Sequence, residues 1–396
     1  MGEWREYKIG ELGEVVTGKT PSSKNREDFG DHMPFVTPSD YKYYNKWAEY
    51  TERRLSATGI EKLKGKVLPP KSAMVTCIGS DMGKVALNKV PVITNQQINS
   101  IVPNNEIADP DFLYYSLVSE YDTLRMLGQS GTAVPIVNKG DFEDLVLPVP
   151  SLPEQRAIAS VLSSLDDKVD LLQRQNKTLE KLAETVFRQW FVEGETPAGR
   201  VNDLIEILPG FAFKSENFVE LGNYRLVTIK NVQDGYLDLS RTDHLQEIPG
   251  QMPDYCKLDQ GDILLSLTGN VGRCCLVTDQ NLLLNQRVAK LQPRDKNNRG
   301  FAYTFFRMTA TRRLLEELAK GTAQANLSPV ETKDLEMPLP DEGRLSLFAD
   351  KANPLIDKVL LNYIQIRALT QMRDTLLPKL MSGEMRVKPS NEMKNG

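Results

Sequence analysis

An internal duplication constrains this chain more than any other feature of its sequence. Residues 144–150 (DLVLPVP) return 190 positions later as residues 334–340 (DLEMPLP). Four further matches keep the same order at almost the same spacing: 77–84 with 266–273, 95–96 with 285–286, 131–133 (GTA) with 321–323, and 167–169 (DKV) with 357–359. The sequence therefore predicts two copies of about 190 residues, which is too few copies for a solenoid.

Both copies follow one internal plan. A stretch of about 150 residues, rich in glycine, proline and short β-type runs, ends at a proline-flanked boundary, and a long helical pattern follows. Inside each stretch one helix is predicted, from Asp111 to about Leu127 and from Phe301 to about Lys320. The fold class is α+β, with two pseudo-symmetric globular units and two long helices. The predicted segments are 1–150 (first globular unit), 151–195 (first helix), 196–340 (second unit), 341–386 (second helix) and 387–396 (disordered tail).

The helical patterns are heptad seams, with apolar residues alternating at spacings of four and three. The first seam consists of Ile158, Leu162, Leu165, Val169, Leu172, Asn176, Leu179, Ala183, Val186 and Trp190. The second is less regular and consists of Phe348, Ala352, Leu355, Val359, Asn362, Ile366, Leu369, Arg373, Leu376 and Leu380. Asn353-Pro354 has the composition of a helix start, so this helix is expected to begin late or to bend there.

Neither helix can bury its seam alone, so we expect the two to pack as an antiparallel coiled coil about a pseudo-twofold axis. Facing residue numbers would then sum to about 538, which places Asn176 opposite Asn362 and lets this polar pair fix the register. The alternative is that each helix separately covers its own globular unit.

Charge and cysteine content exclude several classes of protein. The formal net charge is −4 and the pI is about 5.6, which argues against a binder that works through global positive charge. Four cysteines are too few for a disulfide framework in 396 residues, which favours reduced thiols. The charged N-terminal segment does not resemble a signal peptide, and no apolar run is long enough to span a bilayer, so a cytoplasmic location is expected.

The motifs of common catalytic sites are missing from the sequence. Residues 79–85 (GSDMGKV) resemble a P-loop but have one residue too few between the glycines, so a turn between strands is favoured. His32 and His244 lie far apart without a ligand pattern, and Cys274-Cys275 fits strand packing better than zinc binding. We therefore expect a chain that is not an enzyme and holds neither a metal nor a cofactor.

Two segments are rich in basic residues and have the composition of a surface that binds nucleic acid. For each segment, the alternative is a charged face that only contacts solvent. The first interleaves aromatic and basic residues between positions 41 and 72; the second runs from Arg287 to Arg313. One basic position also matches between the copies, because Lys84 and Arg273 each follow a glycine turn. The candidate DNA-binding residues are Lys42, Tyr43, Tyr44, Lys46, Arg53, Arg54, Lys62, Lys64, Ser80, Asp81, Lys84, Thr268, Asn270, Arg273, Arg287, Arg294, Lys296 and Arg299.

These features resemble the specificity subunit of type I restriction–modification systems. The resemblance is carried by Trp4 with Gly18-Lys19-Thr20-Pro21, by residues 131–165, and by residues 373–384 (RDTLLPKLMSGE). It covers almost the entire chain. Residues 341–344 (DEGR) depart from the Pro-x-x-Glu-Gln pattern at the same point of the first copy, which leaves the start of the second helix open.

The resemblance implies that each globular unit is a target recognition domain that reads one half of a bipartite, asymmetric double-stranded DNA site. It implies that the paired helices set the spacing, and that modification (methyltransferase) and restriction (endonuclease/translocase) subunits dock on the chain. S-adenosylmethionine, ATP and Mg²⁺ would then bind to those partners. The alternatives are a self-sufficient DNA methyltransferase, for which no Asn/Asp-Pro-Pro-aromatic turn is present, and a coiled-coil scaffold without a nucleic-acid role.

Overall fold

The computed structural model describes residues 4–387 except 23, 80, 130–135, 195 and 320–325, and the side chains of Tyr43 and Gln129 are also not described. The two Gly-Thr-Ala repeats, and all of the predicted tail but residue 387, lie outside the described residues. The chain forms two compact units: unit 1 comprises Met1–Asp170 with Leu369–Gly396, and unit 2 comprises Leu171–Ala368. Both long helices therefore contribute one part to each unit.

Within its described residues, unit 1 has nine strands in three sheets. The four-stranded sheet is antiparallel with the order β2-β8-β5-β6, β7 lies parallel to β3 in the sheet β4-β3-β7, and β1 pairs with β9. The strands are β1 (Arg5–Lys8), β2 (Gly13–Thr17), β3 (Phe29–Val36), β4 (Arg53–Leu55), β5 (Ala73–Thr76), β6 (Val85–Leu87), β7 (Ile93–Thr94), β8 (Ile98–Pro103) and β9 (Val146–Val149).

The described part of unit 2 repeats this plan with ten strands. Its sheets have the orders β11-β18-β15-β16, β13-β12-β17-β14 and β10-β19, and β12 and β17 form a parallel pair like that of β3 and β7. The strands are β10 (Ala198–Arg200), β11 (Ile205–Pro209), β12 (Tyr224–Val227), β13 (His244–Leu245), β14 (Lys257–Leu258), β15 (Ile263–Ser266), β16 (Cys274–Leu276), β17 (Leu282–Leu284), β18 (Val288–Pro293) and β19 (Glu336–Pro338). The duplication in the sequence is therefore a duplication of strand order.

The helix predicted inside each copy is two helices, not one. In unit 1 the break falls at Glu120, and in unit 2 it falls at Met308, whose extended backbone (ψ 135°) ends one helix and precedes the next. The shorter helices are α1 (Ile9–Leu12), α2 (Ala57–Lys62), α3 (Pro110–Ser119), α4 (Tyr121–Gln129), α5 (Lys139–Glu143), α7 (Val201–Leu204), α8 (Arg299–Arg307), α9 (Thr309–Leu318) and α10 (Pro329–Lys333). Short 3₁₀ turns occupy Arg26–Asp28, Pro38–Tyr43, Lys64–Lys66, Ser215–Asn217, Asp254–Cys256 and Lys296–Asn298.

The long helices are α6 (Leu152–Phe187), which a π-helical turn (Arg188–Val192) extends, and α11 (Glu342–Met381). The expectation that α11 begins late at Asn353-Pro354 is wrong. Asp341 caps the helix instead, since its Oδ1 accepts a hydrogen bond from the Arg344 backbone N–H at 2.9 Å. Asn353 joins α11 to the globular part of unit 2: its Oδ1 accepts from the backbone N–H of Gly300 and its Nδ2 donates to the carbonyl of Asn297, each at 2.8 Å.

The two helices run antiparallel within each unit. In unit 1, Arg373 donates to Asp166 at 2.8 Å and Arg386, just beyond α11, donates to Glu154 at 3.2 Å. In unit 2, Asn362 donates to Asn176 at 2.7 Å, and the Trp190 and Phe348 rings lie 6.4 Å apart. Early positions of α6 therefore meet late positions of α11, as the predicted register requires.

Apolar burial ties each helix part to the globular fold of its own unit. In unit 2 the rings of Phe187, Phe191, Phe301 and Phe348 pack edge-to-face or tilted, with centroids 4.9 to 6.0 Å apart. In unit 1, Ile158 and Leu162 of α6 and Leu380 of α11 are buried with Phe112 and Tyr115 of α3. The seams therefore bury their apolar faces against the globular part of each unit as well as against each other.

Candidate nucleic-acid interface

Arg53 and Arg54 of β4 are exposed and held by strand β3. The Arg53 guanidinium lies 4.0 Å from the ring centroid of Phe29, a cation–π contact. The Arg54 side chain donates to the carbonyl oxygens of Asp31 and His32 at 3.1 and 3.2 Å. Both cations are thus fixed in position while their outer faces stay open to solvent, an arrangement suited to phosphate contacts.

The lysines that follow β4 lie on the same segment. Lys62 pairs with the buried Asp28 at 2.7 Å, and this hydrogen bond raises the pKa of Lys62. Lys64 pairs with Glu61 one helical turn away at 2.8 Å, and its side chain is 75% exposed. Of the two, Lys64 is the freer to contact a ligand.

The residues between β3 and β4 differ in accessibility. Lys42 is exposed and pairs with Glu52 at 2.9 Å. Tyr44 is half-buried and donates its hydroxyl to the carbonyl of Tyr50 at 2.5 Å, whereas the side chain of Tyr43 lies outside the described residues. Lys42 therefore stays a candidate, and Tyr44 has a structural contact of its own.

Lys46 is buried, which corrects its assignment as a DNA-binding candidate. Its side chain is only 3% exposed and pairs with Asp111 at 2.7 Å. Its ammonium group also donates to Ser163 at 2.7 Å and lies 4.9 Å from the ring centroid of Tyr115. A lysine buried among a carboxylate, a hydroxyl and aromatic rings stabilises the fold and cannot reach a phosphate.

The P-loop-like segment is a turn between strands β5 and β6, as its spacing indicated. Gly79 and Gly83 have φ values of +86° and +92°, a backbone conformation that favours glycine. Lys84 pairs with Asp81 at 2.7 Å, and both side chains are partly exposed; Ser80 lies outside the described residues. The turn presents polar side chains but does not form a phosphate-binding loop.

The equivalent turn of unit 2 joins β15 to β16. Thr268 is buried and donates to the Asn326 side chain at 3.1 Å, and Arg273 donates to Gln233. The amide of Asn270 lies next to the Arg273 guanidinium. The structure thus places the side chains of Asn270 and Arg273 next to each other, whereas the Thr268 side chain is used in a contact with Asn326.

The basic candidates of the second cluster do not share one surface role. Arg294 pairs with Glu206 at 2.8 Å, and Arg299 pairs with Asp357 of α11. Lys296 is exposed, and it lines a cavity together with Arg299. Arg287 is exposed at the start of β18, apart from the other three along the chain. Arg294 and Arg299 therefore have partners within the fold, and Lys296 and Arg287 are the more available cations.

Sequence reasoning missed a tyrosine–carboxylate–arginine contact that recurs in the two units. In unit 1, Asp166 of α6 accepts from the Tyr115 hydroxyl at 2.6 Å and from Arg373 at 2.8 Å. In unit 2, Glu180 of α6 accepts from Tyr303 and from Arg307, the latter at 2.9 Å. Burial is the main cause that raises the pKa of both tyrosines, and the carboxylates raise it further, so the hydroxyls stay protonated donors. A tyrosine in the matched helices α3 and α8 was the available signal.

The described residues contain no group of three His, Cys, Asp or Glu side chains that could hold a metal ion. All four cysteines are free and buried, and burial raises the pKa of Cys77 to about 11 and of Cys275 to about 12. Such thiols stay protonated at neutral pH and act as small apolar side chains. Cys274 and Cys275 point into different apolar clusters of unit 2, as adjacent residues of a strand do. None of the described helices has a stretch apolar and long enough to cross a bilayer.

One fold that occurs twice, with a long helix and exposed cations in each copy, defines a recognition protein with two reading units. Comparison with known proteins identifies the family. The profile described as "Type I restriction modification DNA specificity domain" matches residues 1–181 and 197–345, one match for each copy. The chain belongs to this family, and it is a specificity subunit, the recognition component rather than the catalytic one.

Individual relatives agree with this assignment. The specificity subunit of the type I restriction enzyme MjaIX from Methanocaldococcus jannaschii is 27% identical over 97% of this chain and 94% of its own length. The HindI specificity subunit from Haemophilus influenzae is 36% identical, over 37% of this chain and 32% of its own. The crystal structure of the type I S subunit from M. genitalium has the same fold, with a TM-score of 0.61 at 18% identity over 95% of this chain and 96% of that one.

Proposed function

We propose that this specificity subunit reads a bipartite, asymmetric double-stranded DNA site, with one half read by each unit. The observation that carries the proposal is the repeated strand order, because two copies of one recognition fold with different exposed side chains are suited to two different half-sites. The antiparallel helices α6 and α11 then set the number of base pairs between the halves.

The proposal includes partner subunits. Modification subunits with S-adenosylmethionine, and restriction subunits with ATP and Mg²⁺, would assemble on this chain and supply the chemistry. This division of labour fits the acidic pI of about 5.6, because partner subunits can contribute phosphate contacts that this chain lacks. The proposed contacts of the chain itself include Arg53, Arg54, Lys64 and Lys42 in unit 1, and Lys296 and Arg273 in unit 2.

Domain exchange tests independent reading by the two units. Residues 196–340 would be replaced by the equivalent segment of a relative, and the methylomes of cells with the parent and the exchanged chain compared. We expect one half of the methylated site to change, while the other half and the spacer length stay the same. A change in both halves together would show one composite recognition surface and contradict the proposal.

A further inference from the structure

The turn before strand β18 in unit 2 and the turn before strand β8 in unit 1 are built on one backbone frame. In unit 2, the N–H of Asn285 donates to the carbonyl of Val227 at 3.1 Å, and the N–H of Leu267 donates to that of Arg287 at 3.0 Å. In unit 1, Asn95 donates to Val36 at 3.0 Å and Cys77 donates to Gln97 at 2.8 Å. Positions 97 and 287 are therefore structurally equivalent.

Further contacts repeat around the same frame. The asparagine that begins each turn accepts from the N–H of position 97 or 287 through its side-chain Oδ1, at 3.1 and 3.4 Å. A glycine, Gly18 or Gly210, lies directly above the turn, and a Cβ added to either would come within 2.3 Å of the asparagine carbonyl oxygen. The backbone of the turn is thus fixed in both units, as a site that reads a base edge requires.

The side chains on this fixed frame differ between the units. Position 287 is an exposed arginine, and position 97 is a half-buried glutamine whose Oε1 accepts from the Asn95 side chain at 2.9 Å. Within the described part of the chain, no hydrogen bond or ion pair engages the guanidinium of Arg287. Polar contacts among the described residues therefore do not explain why position 287 is an arginine.

Arg287 also borders an open cavity of about 460 Å³ at this edge of the sheet. The described lining includes the polar side chains of Thr268, Gln286 and Asn326, and it contains one cation, Arg287, and no carboxylate. An arginine on a rigid turn, beside amide side chains and without a competing anion, is suited to the O6 and N7 acceptors of guanine, which arginine contacts with two parallel hydrogen bonds.

We infer that Arg287 is a specificity-determining residue that reads a guanine in the half-site of unit 2. The inference rests on the proposed function and adds a residue and a base to it. The equivalent frame in unit 1 carries glutamine, so Arg287→Gln places at position 287 a side chain that the same fold already accommodates. This makes it a substitution expected to fold.

The experiment uses the full chain in complex with its modification subunits. Methylome sequencing and competition binding to duplexes would compare the parent with Arg287→Gln, and Lys257→Gln, an exposed cation on β14, would serve as the matched control. For Arg287→Gln we expect preference for guanine at one position of one half-site to fall by about tenfold or more. The other half-site, the spacer and the control should stay unchanged.

Three results would overturn the inference. Equal weakening on all duplexes, with a flatter salt dependence, would make Arg287 a phosphate contact. Unaltered specificity would make it a solvated surface residue, and altered reading in both half-sites would indicate a general disturbance of the chain. Failure of the proposed function is distinguishable from these, because the parent complex itself would then methylate no bipartite site.

Discussion

At the scale of single residues, Lys46 joins three elements of unit 1. Its ammonium group contacts Asp111 of α3 and Ser163 of α6, each at 2.7 Å, while its own segment precedes β4. Asp111 pairs with Lys71 as well, at 2.9 Å. Although burial alone raises the pKa of Asp111, the hydrogen bonds and charges of Lys46 and Lys71 lower it below its ordinary value.

Asp111→Asn should destabilise unit 1 at neutral pH. The substitution keeps the size of the side chain but leaves Lys46 buried without its counter-charge, which costs on the order of 3 kcal/mol. Urea unfolding followed by tryptophan fluorescence measures the difference, and Asp374→Asn, at an exposed carboxylate of α11, is the control.

This difference should shrink as the pH falls. A carboxyl whose pKa is lowered by folding contributes its full stabilisation at pH values above its unfolded-state pKa. This contribution is lost as the pH falls from the unfolded-state pKa through the folded-state pKa. The ordinary pKa of Asp111 is 3.8, so the loss begins near pH 4 and continues below it. A difference that is equal at pH 7 and pH 3 would show that the ion pair contributes nothing and that packing alone distinguishes the variant.

Lys64 offers a second prediction at this scale. If it contacts a DNA phosphate, Lys64→Ala should weaken binding of all sequences alike, and the slope of log affinity against log salt should flatten by about 0.9. Lys139→Ala is the matched control, because Lys139 is also an exposed helical lysine paired with a nearby glutamate, Glu143, at 3.3 Å. Equal slopes for the two variants would assign Lys64 to a solvated face.

The sequence predicted where basic residues concentrate but not which of them are accessible. Lys46 and Lys64 belong to the same basic run, yet one is 3% exposed and the other 75%. The difference comes from partners that are distant in the chain, Asp111 and Ser163, and residue spacing carries no information on such contacts.

At the scale of secondary-structure elements, the seams of α6 and α11 meet at a polar pair. Asn362 donates to Asn176 at 2.7 Å and to Gln175 at 2.9 Å, and both asparagines are almost fully buried. Heptad spacing and the duplication were enough to predict this contact, because together they fix direction and register. Local composition was a poorer guide: Asn353-Pro354 has the composition of a helix start, but α11 begins earlier, next to the Asp341 cap, and Asn353 contacts Asn297 and Gly300 instead.

Replacing one or both asparagines should give opposite results. Asn362→Leu leaves the buried Oδ1 of Asn176 without the Asn362 donor. This should cost about 1–3 kcal/mol of unfolding free energy in unit 2. The double substitution to leucine should recover that loss or exceed the parent stability, while register and orientation become less well specified. A double-mutant cycle in urea unfolding measures the coupling; additive losses would mean that the pair does not act as a unit.

At the scale of the whole molecule, the duplication was the part of the fold that the sequence predicted best. The matching residues 144–150 and 334–340 contain β9 and β19, which pair antiparallel with β1 and β10 in the same way. The internal strand order could not be read from the sequence, because many strands have only two to four residues and their partners are distant. The repeat offset of 190 already pairs position 97 with position 287, but the backbone hydrogen bonds that hold both turns in one conformation became visible only in the structure.

The last prediction concerns the helices as a spacer. One heptad would be inserted after Asp170 in α6 and another before Leu369 in α11, where the two units divide both helices. Seven residues preserve the phase of the seam to within about 20° and lengthen each helix by about 10 Å. Since base pairs in DNA rise about 3.4 Å each, the spacer of the methylated site should lengthen by about three base pairs with both half-sites unchanged.

Methylome sequencing distinguishes this outcome from its alternatives, and inserting the heptad in α6 alone is the control. The single insertion adds seven residues between the units on one helix only, so the Asn176–Asn362 pair of unit 2 and the Asp166–Arg373 pair of unit 1 can no longer both keep their register. It should therefore disrupt one of these pairs or abolish methylation rather than lengthen the spacer. If the paired insertion instead left the spacer at its original length, the distance between the half-sites would have to be set by the partner subunits, and the helices would serve only to join the two units.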